Sequence, residues 1–154
     1  MMVRPATPED LPAIEAIESA VFDGDRLSRR SLRHFLSAGT ALMLVLALQD
    51  HILGYSLIAF RRGSKRARLY SIALSPGEQG RGLGRFLLLS SENAAKAHGA
   101  AFLRLEVRAD NEGAIKLYRK NGYRLFGEYD DYYEDGGGAL RFEKPLLHDG
   151  EDVG

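Results

Sequence analysis

The 154-residue sequence contains no cysteine and no tryptophan. Without thiols it can form no disulfide, no thiolate zinc site and no thiol nucleophile. It also lacks net charge, because 21 basic residues balance 21 acidic ones. A balanced chain has no global field drawing it onto nucleic acid or an anionic membrane, so neither is expected as a partner. No apolar run could cross a bilayer: the longest, residues 41–48, falls far short of the ~20 residues that a spanning helix needs. The opening Met1-Met2-Val3-Arg4-Pro5 has no apolar signal core, and a cytoplasmic location is expected. The four histidines are scattered without metal-ligand spacing, so no metal site is expected.

What is present suits an ordinary globular protein, with 45% hydrophobic and 27% charged residues. The length is that of one domain able to bury its own core. No repeat or linker divides it, which predicts a single domain over residues 1–147 and a disordered acidic tail over 148–154.

The periodicity predicts an α+β order of elements. Thr7-Pro8-Glu9-Asp10 reads as a helix start, with Thr7 as cap and Pro8 in the first position. Leu11, Ile14, Ile17 and Val21 then recur at helical spacing. A second helix starts from the Ser28 cap and ends near Gly39. Residues 41–48, 54–60 and 68–74 read as strands. A helix follows over 82–98, capped by Gly99. Next come a strand at 102–107, a helix at 111–121 closed by Gly122, and a closing strand pair at 123–129 and 139–145.

Between the third strand and the long helix lies Gln79-Gly80-Arg81-Gly82-Leu83-Gly84. A glycine-rich turn opening a helix binds phosphate, because orphan N–H groups and the positive dipole end meet where no side chain blocks approach. A dinucleotide site is one reading, with Glu106 near the distance expected of a ribose-binding acid. Three features oppose it. The third glycine position holds Arg85, several residues separate Leu74 from Gly80, and residues 41–74 contain no second crossover helix. No Gly-Lys-Ser/Thr follows, which excludes a Walker A loop.

The other reading joins this turn, in which Gln79, Gly82 and Gly84 fit the pattern Gln/Arg-x-x-Gly-x-Gly/Ala, to the stretch Leu105-Glu106-Val107-Arg108-Ala109-Asp110-Asn111-Glu112-Gly113-Ala114-Ile115-Lys116-Leu117-Tyr118-Arg119-Lys120-Asn121-Gly122-Tyr123. Together they resemble the GNAT acetyltransferase superfamily, closest to its bacterial ribosomal-protein alanine N-acetyltransferase branch. The resemblance covers residues 67–145. It implies an α+β fold in three layers (α/β/α), with a mixed, mainly antiparallel sheet of six or seven strands and four flanking helices. Two parallel strands would splay apart, and acetyl-CoA would lie in the gap as acetyl donor.

The resemblance also implies roles. Backbone groups of Ile72, Ala73 and Leu74 would face the pantetheine arm and the acetyl carbonyl. Gln79 belongs to the loop pattern, and backbone N–H groups of Gly80, Arg81, Gly82, Leu83, Gly84 and Arg85 would hold the pyrophosphate. Asn111 would contact the cofactor, Tyr118 would protonate the departing thiolate, and Glu106 would accept the amine's proton, directly or through water. The residues themselves leave blander readings open. Glu106 lies on the strand face opposite Leu103, Leu105 and Val107, where it could pair with Arg104 or Arg108. Tyr118 shares a helix face with Ala114 and Ile115, where it could be a packed aromatic.

The resemblance implies a primary amine as acceptor. An α-amino group, with a pKa of about 7.7–8.0, is partly neutral near pH 7, whereas lysine starts roughly 2.5 units worse. That favours a protein or peptide N-terminus over lysine. A small-molecule amine remains an alternative, as does a non-catalytic acyl-CoA sensor, in a monomer or a homodimer. The run Tyr129-Asp130-Asp131-Tyr132-Tyr133-Glu134-Asp135 could attract a cationic acceptor or simply form a soluble turn. The chain departs from the ribosomal-protein branch at Phe22-Asp23-Gly24-Asp25-Arg26-Leu27-Ser28, where that branch carries Pro-Trp-Ser.

Overall fold

The computed structural model describes residues 1–22, 27–133 and 135–146. The expected tail and the centre of the segment between the first two helices lie outside them. Seven strands form one sheet: β1 (Met2–Pro5), β2 (Ala41–Leu48), β3 (His51–Ala59), β4 (Arg66–Leu74), β5 (Phe102–Arg108), β6 (Arg124–Tyr129) and β7 (Ala139–Pro145). Their order is β1-β2-β3-β4-β5-β7-β6, and only β4 and β5 run parallel. Among the described residues, four α-helices flank the sheet: α1 (Leu11–Val21), α2 (Arg29–Ser37), α3 (Leu83–Ala97) and α4 (Glu112–Lys120). The expected three-layer α+β architecture is present, with seven strands.

Each layer follows from its side-chain pattern. β2 is apolar throughout and covered on both faces, so Met43 to Ala47 are buried whichever face they point to. α1 and α2 bring Leu11, Ile14, Ile17 and Leu32 against Met43, Val45, Tyr55 and Leu57. On the opposite face, Leu88 and Ala95 of α3 and Tyr118 of α4 pack on Leu69, Leu103, Leu105 and Phe142. β3 carries Gly54 because a Cβ there would lie 2.8 Å from the Ala73 carbonyl oxygen of β4. Among the described residues, no helix is long and apolar enough to cross a membrane.

Two local expectations are corrected. Thr7-Pro8-Glu9-Asp10 opens a 3-10 turn over Pro8–Asp10, and the α-helix begins only at Leu11. The Asp10 carboxylate reaches back to accept the Thr7 N–H at 2.8 Å, and it also accepts Arg4 at 2.7 Å and 3.0 Å. The strand β1 is not signalled by its four residues. It forms because β2 offers an open edge, along which Met2 to Pro5 pair antiparallel to residues 44–47. Pro5 is tolerated at its end because an edge strand has donors to spare.

Candidate functional site

The ladder between β4 and β5 holds only three register pairs, the last being Arg68 with Arg104. Beyond that neck the strands diverge, and a cavity of about 500 Å³ opens through the sheet. Backbone N–H and C=O groups of β4 that face the gap lose their ladder partners there. A strand edge of this kind can pair with an extended, amide-bearing ligand.

The cavity joins side chains from both faces. From the α3/α4 face comes Tyr118, which is 6% exposed and touches Tyr123 edge-on at 5.5 Å between centroids. Burial pushes its phenol well above the ordinary tyrosine value. From the α1/α2 face comes Glu106, which points away from the buried Leu103, Leu105 and Val107 as the strand alternation predicts. The alternative partners Arg104 and Arg108 are not the ones Glu106 takes. Those arginines pair with Glu143 at 2.9 Å and Asp135 at 2.5 Å. Glu106 pairs instead across the neck, with Arg68 of β4 at 2.7 Å. Arg68 also lies 4.8 Å from the Tyr70 ring and donates to the Tyr132 hydroxyl at 3.3 Å. Two arginines close by in sequence hid a partner from the neighbouring strand.

The structure brings only some of the other candidates to this cavity. Ile72 and Asn111 line it. Asn111 caps α4, accepting the Ala114 N–H at 3.1 Å. Ala73 and Leu74 do not line the cavity; their side chains pack under α1 and against α3 respectively. Ile72 pairs with Ser56, Ala73 with Tyr55 and Leu74 with Gly54 of β3, so this end of β4 stays held to β3 beside the gap, beyond a register shift at Tyr70.

The glycine turn sits apart from the cavity, at the N-terminus of α3. Gly80 and Gly82 adopt φ of 83° and 75°, a left-handed geometry that glycine enters without strain, and open space surrounds both. Leu83 is core, with its side chain against Leu46, Leu53 and Leu87, so only its backbone faces outward. At Gly84 a Cβ would meet Leu117 of α4 at 3.8 Å, an ordinary contact, so helix packing does not demand glycine there. Arg85 donates to the Asn121 side chain at 3.2 Å, Arg81 pairs with Glu78, and the Gln79 amide oxygen accepts the Gly77 N–H. The turn thus presents backbone donors while its side chains are tied aside. A gapped strand edge and an open N–H cradle fit a ligand with an amide-bearing arm and phosphates.

One cluster escaped the sequence reading. Glu18 is 1% exposed yet lines the cavity. Its Oε1 accepts from the Tyr55 hydroxyl and from Ser71 Oγ at 3.1 Å, and its Oε2 accepts the Leu27 N–H at 2.8 Å. The signal was available: Glu18 stands four residues after Ile14 and seven after Leu11, inside the apolar stripe of α1. A carboxylate in such a stripe must find buried donors.

Comparison with known proteins agrees with this geometry. The model of the acetyltransferase (GNAT) family matches residues 11–123, and the chain belongs to that family. It is 31% identical over 135 residues to a putative ribosomal protein bS18-alanine N-acetyltransferase of Bacillus subtilis, a match covering 88% of each chain. It is 33% identical over 149 residues to an uncharacterized protein of Mycobacterium leprae, spanning 89% of this chain but only 38% of that longer relative. The crystal structure of the ribosomal-protein-S18-alanine N-acetyltransferase from Escherichia coli superposes with a TM-score of 0.84 at 28% identity, covering 99% of this chain and 98% of that one. The chain therefore carries an N-acetyltransferase domain of GNAT type whose acetyl donor is acetyl-CoA.

Proposed function

We propose that this chain acetylates the α-amine of a protein or peptide N-terminus by direct attack in a ternary complex. The observation that carries the reading is the single cavity at the splay, which holds Tyr118 from one face of the sheet and Glu106 from the other. Acetyl-CoA supplies an activated thioester, and the chain's residues then orient it and manage two protons. Backbone groups of Ile72, Ala73 and Leu74 align the pantetheine arm along β4, while the N–H groups of residues 80–85 take the pyrophosphate. Asn111 meets the cofactor from the start of α4.

Glu106 accepts the proton that the amine loses as its nitrogen bonds to the acetyl carbon. Tyr118 donates its phenolic proton to the sulfur as the carbon–sulfur bond breaks. Burial suits Tyr118 to this task, because a phenol pushed upward stays protonated at working pH. The amine's own chemistry selects the N-terminus. An α-amine is already partly neutral, whereas deprotonating lysine costs roughly 3.4 kcal/mol more. The relatives named for alanine N-acetylation of a ribosomal protein support the same class of acceptor.

Release of free coenzyme A thiol, measured with acetyl-CoA and peptides bearing free or blocked N-termini, tests the reading. Turnover that requires a free α-amine is expected. Turnover confined to lysine side chains or small amines would overturn it, as would tight acetyl-CoA binding with no turnover on any acceptor.

A further inference from the structure

α1 and α2 pack on β2, β3 and β4. Beyond them the same face of β5, β7 and β6 leaves Phe102 36% and Phe126 38% exposed. Arginines and aromatic rings dominate this open half-face, beside the mouth of the cavity. Arg68 lies over Tyr70, Arg104 over Phe126, and Arg108 over Tyr133. Each of these three has a carboxylate: Glu106, Glu143 and Asp135 respectively.

Arg141 is the exception. It stands directly opposite Glu106 in the β5–β7 register, so the two side chains share a face. Its stem crosses β6 at Gly127, where a Cβ would lie 3.4 Å from the arginine Cδ. Its guanidinium then rests 4.6 Å from the Phe126 centroid and 4.9 Å from that of Tyr129. Among the described residues it has no carboxylate partner, and its Nε is buried without a hydrogen bond. A cation held between rings keeps its charge and planar fork oriented, which suits it to a carboxylate arriving from outside.

We propose that Arg141 reads an acidic side chain of the acceptor peptide, about three residues beyond the reacting amine. The inference rests on the reading of Glu106 as the amine's proton acceptor. The guanidinium lies over β6, two strand spacings or roughly 10 Å from β5, and an extended peptide rises roughly 3.3 Å per residue. Peptides with a basic residue there are disfavoured, because among the described residues no carboxylate offsets the Arg141 charge that such a residue would meet.

The test compares kcat/KM for peptides with free N-termini that differ only in Glu, Gln or Lys at positions two to five. Glu is expected to exceed Gln by roughly three- to tenfold at position three or four, with Lys below both. In Arg141→Gln the Glu-to-Gln ratio falls to near one, and in Arg141→Glu the preference passes to Lys. Free glutamate is too short to span the gap and is expected to be a poor acceptor; its selective acetylation would overturn the spacing. Turnover of all peptides without discrimination, or a Glu-to-Gln ratio that survives Arg141→Gln, would overturn this inference and leave the N-terminal reading standing. Absence of turnover on every free α-amine would instead remove that reading and this inference with it.

Discussion

The two faces of the splayed strand pair each bury a helix glutamate against a tyrosine, yet they compensate its charge differently. On the α3/α4 face, Glu92 accepts from the Tyr123 hydroxyl at 2.9 Å and from Lys144 at 2.8 Å. The surroundings are aliphatic and aromatic, so an ion pair with a cation satisfies the carboxylate locally. On the α1/α2 face, Glu18 has no cation partner among the described residues and rests on Tyr55, Ser71 and the Leu27 N–H. Those donors come from β3, β4 and the segment leading into α2. Glu92 clips α3 to the end of the sheet, away from the cavity. Glu18 forms part of the cavity wall and ties three segments of the α1/α2 face together. In the proposed mechanism, opposite faces of one sheet divide the work, with Tyr118 on the dry side and Glu106 on the polar side.

The largest test of this division is Tyr118→Phe. It keeps the ring that packs on Tyr123 and removes only the proposed acid, so kcat should fall about 10²- to 10⁴-fold while thermal unfolding barely moves. An unchanged kcat would return Tyr118 to a purely packing role. Glu106→Gln removes the base from the other face, and kcat should drop roughly 10²-fold, with partial recovery at high pH as the amine loses its proton unaided. A flat pH profile of the residual rate would argue against Glu106 as proton acceptor.

The clip on the dry face should show in stability rather than turnover. Glu92→Ala leaves the Lys144 ammonium and the Tyr123 hydroxyl without their partner, and a loss of about 2–3 kcal/mol is expected in urea unfolding. A large loss of kcat with unchanged stability would contradict the division of roles. The smallest effect concerns how the polar face is anchored. Arg4 foremost, with Thr7, holds the Asp10 carboxyl below its usual value. Its contribution is therefore complete above the unfolded pKa near 4 and is lost as the pH falls through the lower folded value. Asp10→Asn should cost about 1–2 kcal/mol at pH 7, and the difference from the parent should shrink on acidification. A difference that grew toward low pH would contradict the assigned direction.

Much of the frame was legible in the chain. The alternation of residues 102–107 placed Glu106 opposite the aliphatic face, and the helix expected over 111–121 before Gly122 matches α4 within a residue at each end. Other features were not legible, and each for a reason. β1 has four residues, too few for any period, and depends on the free edge of β2. Arg68 is 38 residues from Glu106 and meets it only because the parallel ladder stops beside it. Glu18 carried a signal, a carboxylate inside an apolar stripe, but its donors lie on two strands far along the chain.

The sequence by itself determined the motifs and every element but β1, because periodicity, caps and glycine conformations are local properties written within a few residues. It marked Gln79 to Gly84 and the block around Tyr118 as belonging together. Only the tertiary structure decided that the β4–β5 ladder ends at Arg68, opening one cavity to both faces. It also decided which carboxylate meets which arginine, and which arginine is left over. Those outcomes depend on strand register and divergence, which arise from packing among residues far apart in the chain.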